Sequence, residues 1–263
     1  MLYFLKLGGS LITDKNVART ARTDTLHRLA DEIADALKLR TDLQLVIGHG
    51  SGSFGHIPAS KYGTRQGVDS AQKWWGFVEV FREARALNQV VLETLLDAGL
   101  PVIAFPPSAA IISRDGAVQS WDIQPLQAAL ATGLIPLVNG DVIFDIKRGG
   151  TILSTEEVFV HLAMELKPQR ILLAGIEAGV WQDYPACTQL LESITPSAYN
   201  SDIASLGGSA AIDVTGGMRQ KVEIMLSLAG RLPGLQSLIF SGDEPGLVYQ
   251  ALIGDLPGTC ISA

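Results

Sequence analysis

The sequence predicts an α/β fold, a three-layer α/β/α sandwich around a mostly parallel sheet, and three observations predict it. Short apolar runs alternate with longer helical patterns along the whole chain. Nearly every run ends in glycine, where a strand must turn tightly into the next element. Within the run 170–174, residues 171–174 are apolar at successive positions, as strands covered by helices on both faces are.

The first strand is expected over residues 2–7, ending in Gly8-Gly9-Ser10. Thr23 or Asp24 offers an N-cap for a helix whose Leu26, Leu29, Ile33, Ala34 and Leu37 recur at helical spacing. A second strand over 43–47 runs into Gly48-His49-Gly50-Ser51-Gly52, and a long helix over 72–96 is stopped by Gly99 and Pro101. Further strands are read at 101–105, 135–138, 170–174, 238–240 and near Thr259, with helices at 218–229 and 247–253. The stretch 188–209, rich in Ser, Thr, Asn and Gly, is expected to be a mobile loop or a lobe connection. In such a fold ligands bind beyond the carboxyl ends of the strands.

A chain of 263 residues fits one large α/β domain or two small lobes. With 47% apolar and 18% charged residues it is a packed chain, not a disordered one. The net charge of −7, with no basic block, argues against a nucleic-acid partner. It also means that a phosphate site must gather its cations locally. Cys187 and Cys260 belong to no CxxC pair, so neither a disulfide framework nor a zinc site is expected. No apolar run is long enough to span a membrane, and the first residues carry no signal-peptide pattern, so the expected location is cytoplasmic.

Four motifs carry chemistry. Lys6-Leu7-Gly8-Gly9-Ser10, continuing to Thr13-Asp14-Lys15, sets a lysine at a strand end before glycines whose backbone N–H groups can approach phosphate oxygens. The lysine precedes the glycines, so this is not a Walker A loop. Gly48 to His56 holds four glycines within eight positions, an anion nest with His56 directly after it; His49, inside the loop, is expected to be structural. His27 and His161 lie in helical patterns and take no role. Asp213-Val214-Thr215-Gly216-Gly217 opens a helix, and Lys221 one turn inside it can stand beside a phosphate at the helix N-terminus. Asn139-Gly140-Asp141, followed by Ser154-Thr155-Glu156-Glu157, puts Asp141 at a strand end, where it could orient lysines, accept from a hydroxyl or serve a plain turn.

In this order the four motifs resemble the amino acid kinase superfamily along essentially the whole chain. Within it, KLGGSLITDK, HGxGSFGH, GDVxFD and DVTGGMxxK are most similar to the isopentenyl phosphate kinases, with LITDK and GSFGH the discriminating pair. The resemblance implies ATP-dependent transfer of a phosphoryl group to isopentenyl phosphate. Lys6 would stabilise the transferring group, Lys15 would reach the phosphates from the same loop, and Gly8, Gly9 and Ser10 would hold the ATP phosphates. Gly175 and Gly179 would lie on the nucleotide side, and Gly217 and Lys221 would hold the β/γ end of ATP. Ser51 and Gly52 would offer N–H groups between the substrates, His56 would bind the acceptor's phosphate, and Gly140 and Thr155 would complete the acceptor site. Glu156 is expected to replace the aspartate that organises the lysines. Mg2+ would be bound through the nucleotide phosphates, with no protein ligands, and the chain would be a homodimer.

An N-terminal substrate lobe (about 1–165) and a C-terminal nucleotide lobe (about 166–263) are expected. A phosphomonoester oxygen is already anionic near neutral pH, so the site needs cations and donors and no general base. Phe77, Val80 and Phe81 are expected to approach the five-carbon tail. A fosfomycin-kinase-like enzyme for another small phosphate or phosphonate, and a nucleotide-binding regulator without catalysis, share the pattern.

Overall fold

The computed structural model describes residues 1–197, 199 and 217–263. Its strands are β1 (Leu2–Leu7), β2 (Gln44–His49), β3 (Val102–Ala104), β4 (Ile112–Arg114), β5 (Ala117–Ser120), β6 (Ile135–Asn139) and β7 (Asp141–Asp145). They continue with β8 (Gly149–Leu153), β9 (Arg170–Gly175), β10 (Val180–Trp181), β11 (Leu190–Leu191), β12 (Ser193–Ile194), β13 (Gln236–Ser241) and β14 (Thr259–Ile261). The helices are α1 (Gly9–Ile12), α2 (Thr23–Leu39), α3 (Gly52–Tyr62), α4 (Ala71–Asp97), α5 (Gln124–Ala131), α6 (Thr155–Leu166), α7 (Met218–Arg231) and α8 (Leu247–Ile253).

Among the described residues eight strands form the main sheet, in the order β12-β14-β13-β9-β1-β2-β6-β3. Every pairing is parallel except β13 with β14. Because side chains alternate across a strand, each central strand feeds two cores. Leu5, Ile47 and Leu172 sit in one with Leu29 and Ile33 of α2, Leu87 and Val91 of α4, and Val248 and Leu252 of α8. Phe4, Val46 and Ile171 sit in the other with Leu126 of α5, Phe159 and Leu162 of α6, and Val222 and Met225 of α7. The Phe4 and Phe159 rings, 5.1 Å apart, join sheet to helix there. This is the three-layer sandwich that the sequence predicts.

A smaller sheet, ordered β5-β4-β7-β8, lies over α4 and closes a third core of Ala59, Val68, Phe77, Val80, Val142 and Ile152. Its turns converge on Asp145. That carboxylate accepts from Ser113 Oγ (2.7 Å) and from the backbone N–H groups of Asp115, Gly116, Lys147 and Arg148. Burial alone would raise this carboxyl, but the donors hold it well below the usual carboxylate range. Ser113→Ala removes one of these bonds and is expected to cost about 1 kcal/mol, measured by chemical denaturation; an unchanged midpoint would mean that the other donors suffice.

Two sequence expectations are corrected. The cap of α2 is Arg22, which makes no side-chain capping bond, and not Thr23 or Asp24; α2 already begins at Thr23. The bond from Arg22 N to Ile12 O (2.8 Å) fixes the start of the helix one residue earlier. The stretch 188–209 opens with β11 and β12, and β12 joins the edge of the main sheet; residues 198 and 200–209 of it lie outside the described residues, as do 213–216 of the third motif. Among the described residues no helix is long and apolar enough to cross a membrane.

Candidate active site

Two glycine loops meet at the carboxyl ends of β1 and β2. Gly8 N donates to Ala174 O at the end of β9 (2.8 Å), and the chain then makes the single turn of α1. A Cβ on Gly9 would stand 2.5 Å from Gly52 N, so the loops touch backbone to backbone and only glycine fits. Gly52 has φ +48, in the left-handed region, and a Cβ there would meet Thr13 Oγ1 at 2.1 Å. Thr13, itself buried, fastens the two loops: its hydroxyl donates to Gly9 O (2.7 Å) and accepts from Ser53 N (3.0 Å). Sequence reasoning missed this role, although Thr13 stands inside the LITDK motif.

A cavity of about 1040 Å³ opens above these loops. The sheet order sets its two sides, because β9 and β13 flank β1 on one side and β2 and β6 on the other. Of the predicted site residues, Lys6, Gly8, Gly9, Ser10, Lys15, Ser51, Gly52, His56, Gly140, Thr155, Gly175, Gly179 and Lys221 all line it. Gly217 is the exception: it serves as the N-cap of α7, and the cavity wall there is made by Met218 and Lys221. Five basic side chains, Lys6, Lys15, Arg22, Lys61 and Lys221, line the cavity beside four acidic ones, Asp14, Asp141, Glu156 and Glu177, in a chain whose net charge is −7. The local gathering of cations that a phosphate site needs is therefore present.

Lys6 lies on β1 with its ammonium bound to Glu156, in the first turn of α6; both side chains are buried. Burial pushes the Glu156 carboxyl up, and the charges of Lys6 and then Lys221 outweigh it, so its pKa falls below the ordinary value. Glu156 thus touches one lysine and acts electrostatically on a second. The helix that carries it starts with a capping box, in which Ser154 Oγ accepts from Glu157 N and Glu157 accepts from Ser154 N. The local S-x-x-E pattern could have revealed that helix start.

On the β2 and β6 side, His56 sits half-buried in the second turn of α3, whose N-terminus faces the cavity with Ser51 and Gly52. The helix dipole favours an anion there. Ser51 Oγ donates to Gly140 O (3.3 Å). Thr155 donates its hydroxyl to His49 O (2.6 Å), so its remaining donor is the backbone N–H at the start of α6. Asp141, almost fully buried at the start of β7, accepts from Ser108 N (3.2 Å) and from its own neighbour Val142 N. Burial pushes its carboxyl up to about 6.

The apolar wall differs in part from expectation. Val80 lines the cavity with Ala59 and Ile152. Phe77 and Phe81 do not: Phe77 packs between Trp74 (5.2 Å) and Phe144 (5.3 Å), and Phe81 against the third core. The turn of α4 points only one of the three side chains inward. On the β9 side Ile176, Trp181 and Tyr184 line the cavity, and the sequence reading assigned them nothing.

Comparison with known proteins agrees with this geometry. The model of the amino acid kinase family matches residues 1–241. The chain is 32% identical to an isopentenyl phosphate kinase of Methanocaldococcus jannaschii, covering 98% of each chain. It is also 32% identical to one from Methanothermobacter thermautotrophicus, covering 97% of this chain and 96% of the relative. A solved isopentenyl phosphate kinase structure superposes with a TM-score of 0.85 at 30% identity, covering 100% of both chains. By sequence and by fold, this chain belongs to the amino acid kinase family.

Proposed function

We propose that this chain transfers the γ-phosphoryl group of ATP to isopentenyl phosphate, giving isopentenyl diphosphate and ADP. The observation that carries the reading is the buried pair of Lys6 on the central strand with Glu156 on α6, lining one cavity with the two touching glycine loops and His56. Two anionic substrates must be brought together, and the cavity supplies ammonium groups and backbone donors for that task. An acceptor oxygen of the monophosphate attacks the γ-phosphorus in line, the bond to the β-phosphate oxygen breaks, and that oxygen leaves on ADP. No proton need be removed from the acceptor first.

In this reading Gly8, Gly9, Ser10, Gly175, Gly179 and Lys221 hold the nucleotide, with Ile176, Trp181 and Tyr184 offering apolar faces to its base. Ser51, Gly52, His56, Gly140 and the Thr155 N–H hold the acceptor's phosphate, while Ala59, Val80 and Ile152 meet its tail. Lys6 and Lys15 carry the charge of the group in transit. The two sides correspond to an N-terminal substrate lobe (about 1–165) and a C-terminal nucleotide lobe (about 166–263). Mg2+ is carried on the nucleotide's own phosphates in this reading. Bound there, Mg2+ would screen phosphate charge. The homodimer rests on the family resemblance, and light scattering reads it.

ADP release with Mg-ATP and isopentenyl phosphate, beside a no-acceptor control and fosfomycin, tests the reaction. Release that depends on isopentenyl phosphate is the expected result; release only with fosfomycin would reassign the acceptor. His56→Ala is expected to weaken use of the acceptor by about 1.5–3 kcal/mol, the worth of a hydrogen bond to a charged group, with ATP binding little changed. An unchanged kcat/KM for the acceptor would remove His56 from that role.

A further inference from the structure

His49 closes β2 inside the second glycine loop, is 1% exposed, and is the centre of four polar contacts. Its backbone oxygen accepts from Thr155 Oγ1 (2.6 Å) and Gly140 N (3.2 Å). Its ring Nδ1 lies 3.2 Å from Gly50 O, and its Nε2 lies 2.9 Å from Oδ1 of Asn88 on α4, itself buried. Burial, reinforced by the nearby Lys6 charge, lowers the pKa of this histidine and keeps the ring neutral.

A neutral imidazole has one N–H. Gly50 O is a backbone carbonyl and can only accept, whereas an asparagine amide can present either oxygen or NH2. Both contacts are satisfied at once when Nδ1–H donates to Gly50 O and the Asn88 amide is turned over, so that its NH2 rather than Oδ1 faces Nε2 and donates to it. Gly50 N in turn donates to Leu7 O (3.1 Å), so the residue is held at both of its polar atoms. In a planar trans peptide the C=O and the following N–H point in opposite directions. With Gly50 O turned towards the buried ring, the Ser51 N–H is turned away from it, and Ser51 lines the cavity.

We propose that His49, held as the Nδ1–H tautomer by Asn88, is a positioning residue that aims the Ser51 N–H at the phosphate in the cavity. The inference rests on the kinase reading above and goes beyond it, because His49 itself touches no substrate.

Two substitutions separate this role from mere core filling. In His49→Asn the side-chain NH2 stands near the former Nδ1 and can still donate to Gly50 O. In His49→Gln the amide reaches the former Nε2, keeping the Asn88 link and more volume but losing the donor to Gly50. A positioning role makes Asn the faster variant, with kcat for His49→Gln lower by roughly tenfold or more, since a misaimed oxyanion-type donor acts on the chemical step. A core-filling role makes Gln the more stable and equally or more active variant, and that ranking would overturn the proposal. The 15N spectrum of imidazole-labelled wild type, with His49 identified by its loss in His49→Gln, is expected to show the Nδ1–H tautomer; an Nε2–H tautomer would also overturn it. Wild type that releases no acceptor-dependent ADP would sink the kinase reading and this role with it, while active wild type with equal variants would sink this role alone.

Discussion

Lys6→Ala is expected to lower kcat by about 10²–10³-fold, the effect of deleting one preorganised charge-stabilising donor. It is also expected to destabilise the protein by about 3–5 kcal/mol, because it leaves a buried carboxylate without its partner. Lys6 lies on β1, between β2 and β9, and its ammonium reaches Glu156 on α6, 150 residues away in sequence. The Glu156 side chain is 5% exposed and would keep the more distant charge of Lys221 and a backbone hydrogen bond, but no ion-pair contact. The two losses are separable. Lys6→Met with Glu156→Gln removes both charges together, so stability should return towards wild type while turnover stays low. Lys221→Ala, on a half-buried position of α7, should lose rate with little loss of stability. Near wild-type turnover in Lys6→Ala would take Lys6 out of the mechanism; recovery of rate in the double variant would mean that its charge is not needed.

Asp141→Asn should stabilise the protein above pH 6 by up to about 3 kcal/mol, a raised pKa converted at 1.36 kcal/mol per unit. Burial raises the Asp141 carboxyl from 3.8 to about 6, and among the described residues it forms no ion pair. Between those two pH values the folded protein binds a proton that the unfolded chain has released. Stability therefore falls as pH rises through that window and stays reduced above it. Asparagine carries no charge and so no such penalty, but it has one acceptor oxygen for the Ser108 and Val142 N–H groups, and the lost bond subtracts a pH-independent amount of about 1 kcal/mol. The charge-dependent part of the gain should be absent near pH 3.8, grow by about 1.4 kcal/mol per pH unit through the window, and level off beyond it. Urea denaturation of both proteins from pH 4.5 to 8 reads this directly. Parallel curves would mean that an unseen cation already compensates the carboxylate. The same carboxylate receives the Ser108 N–H and lines the cavity, which makes the acceptor KM of Asp141→Asn informative as well.

Features written in short stretches of sequence were legible. The run from Leu2 to Leu7 and the run from Arg170 became neighbouring strands, and the helix of Leu247–Ile253 has the bounds that the pattern implied. Elements that depend on distant partners were not. Helix α3 contains Pro58 and begins at a left-handed Gly52, so it carries weak local signals; its packing on α4 and the Thr13 clasp hold it. Strand β4 has three residues and pairs in parallel with β7 across some thirty residues of chain. Nothing within Ile112–Arg114 announces that partner.

The sequence by itself determined the layered α/β architecture and the glycine loops with their lysines, because apolar periodicity and turn glycine are local properties of the chain. Only the tertiary structure decided which groups meet: Lys6 with Glu156, Thr155 with His49, and Val80 rather than Phe77 or Phe81 against the cavity. Those choices follow from the order of strands in the sheet and the rotation of each helix upon it. Both are set by how two cores fill on opposite faces of the same strands, a condition that involves the whole chain at once.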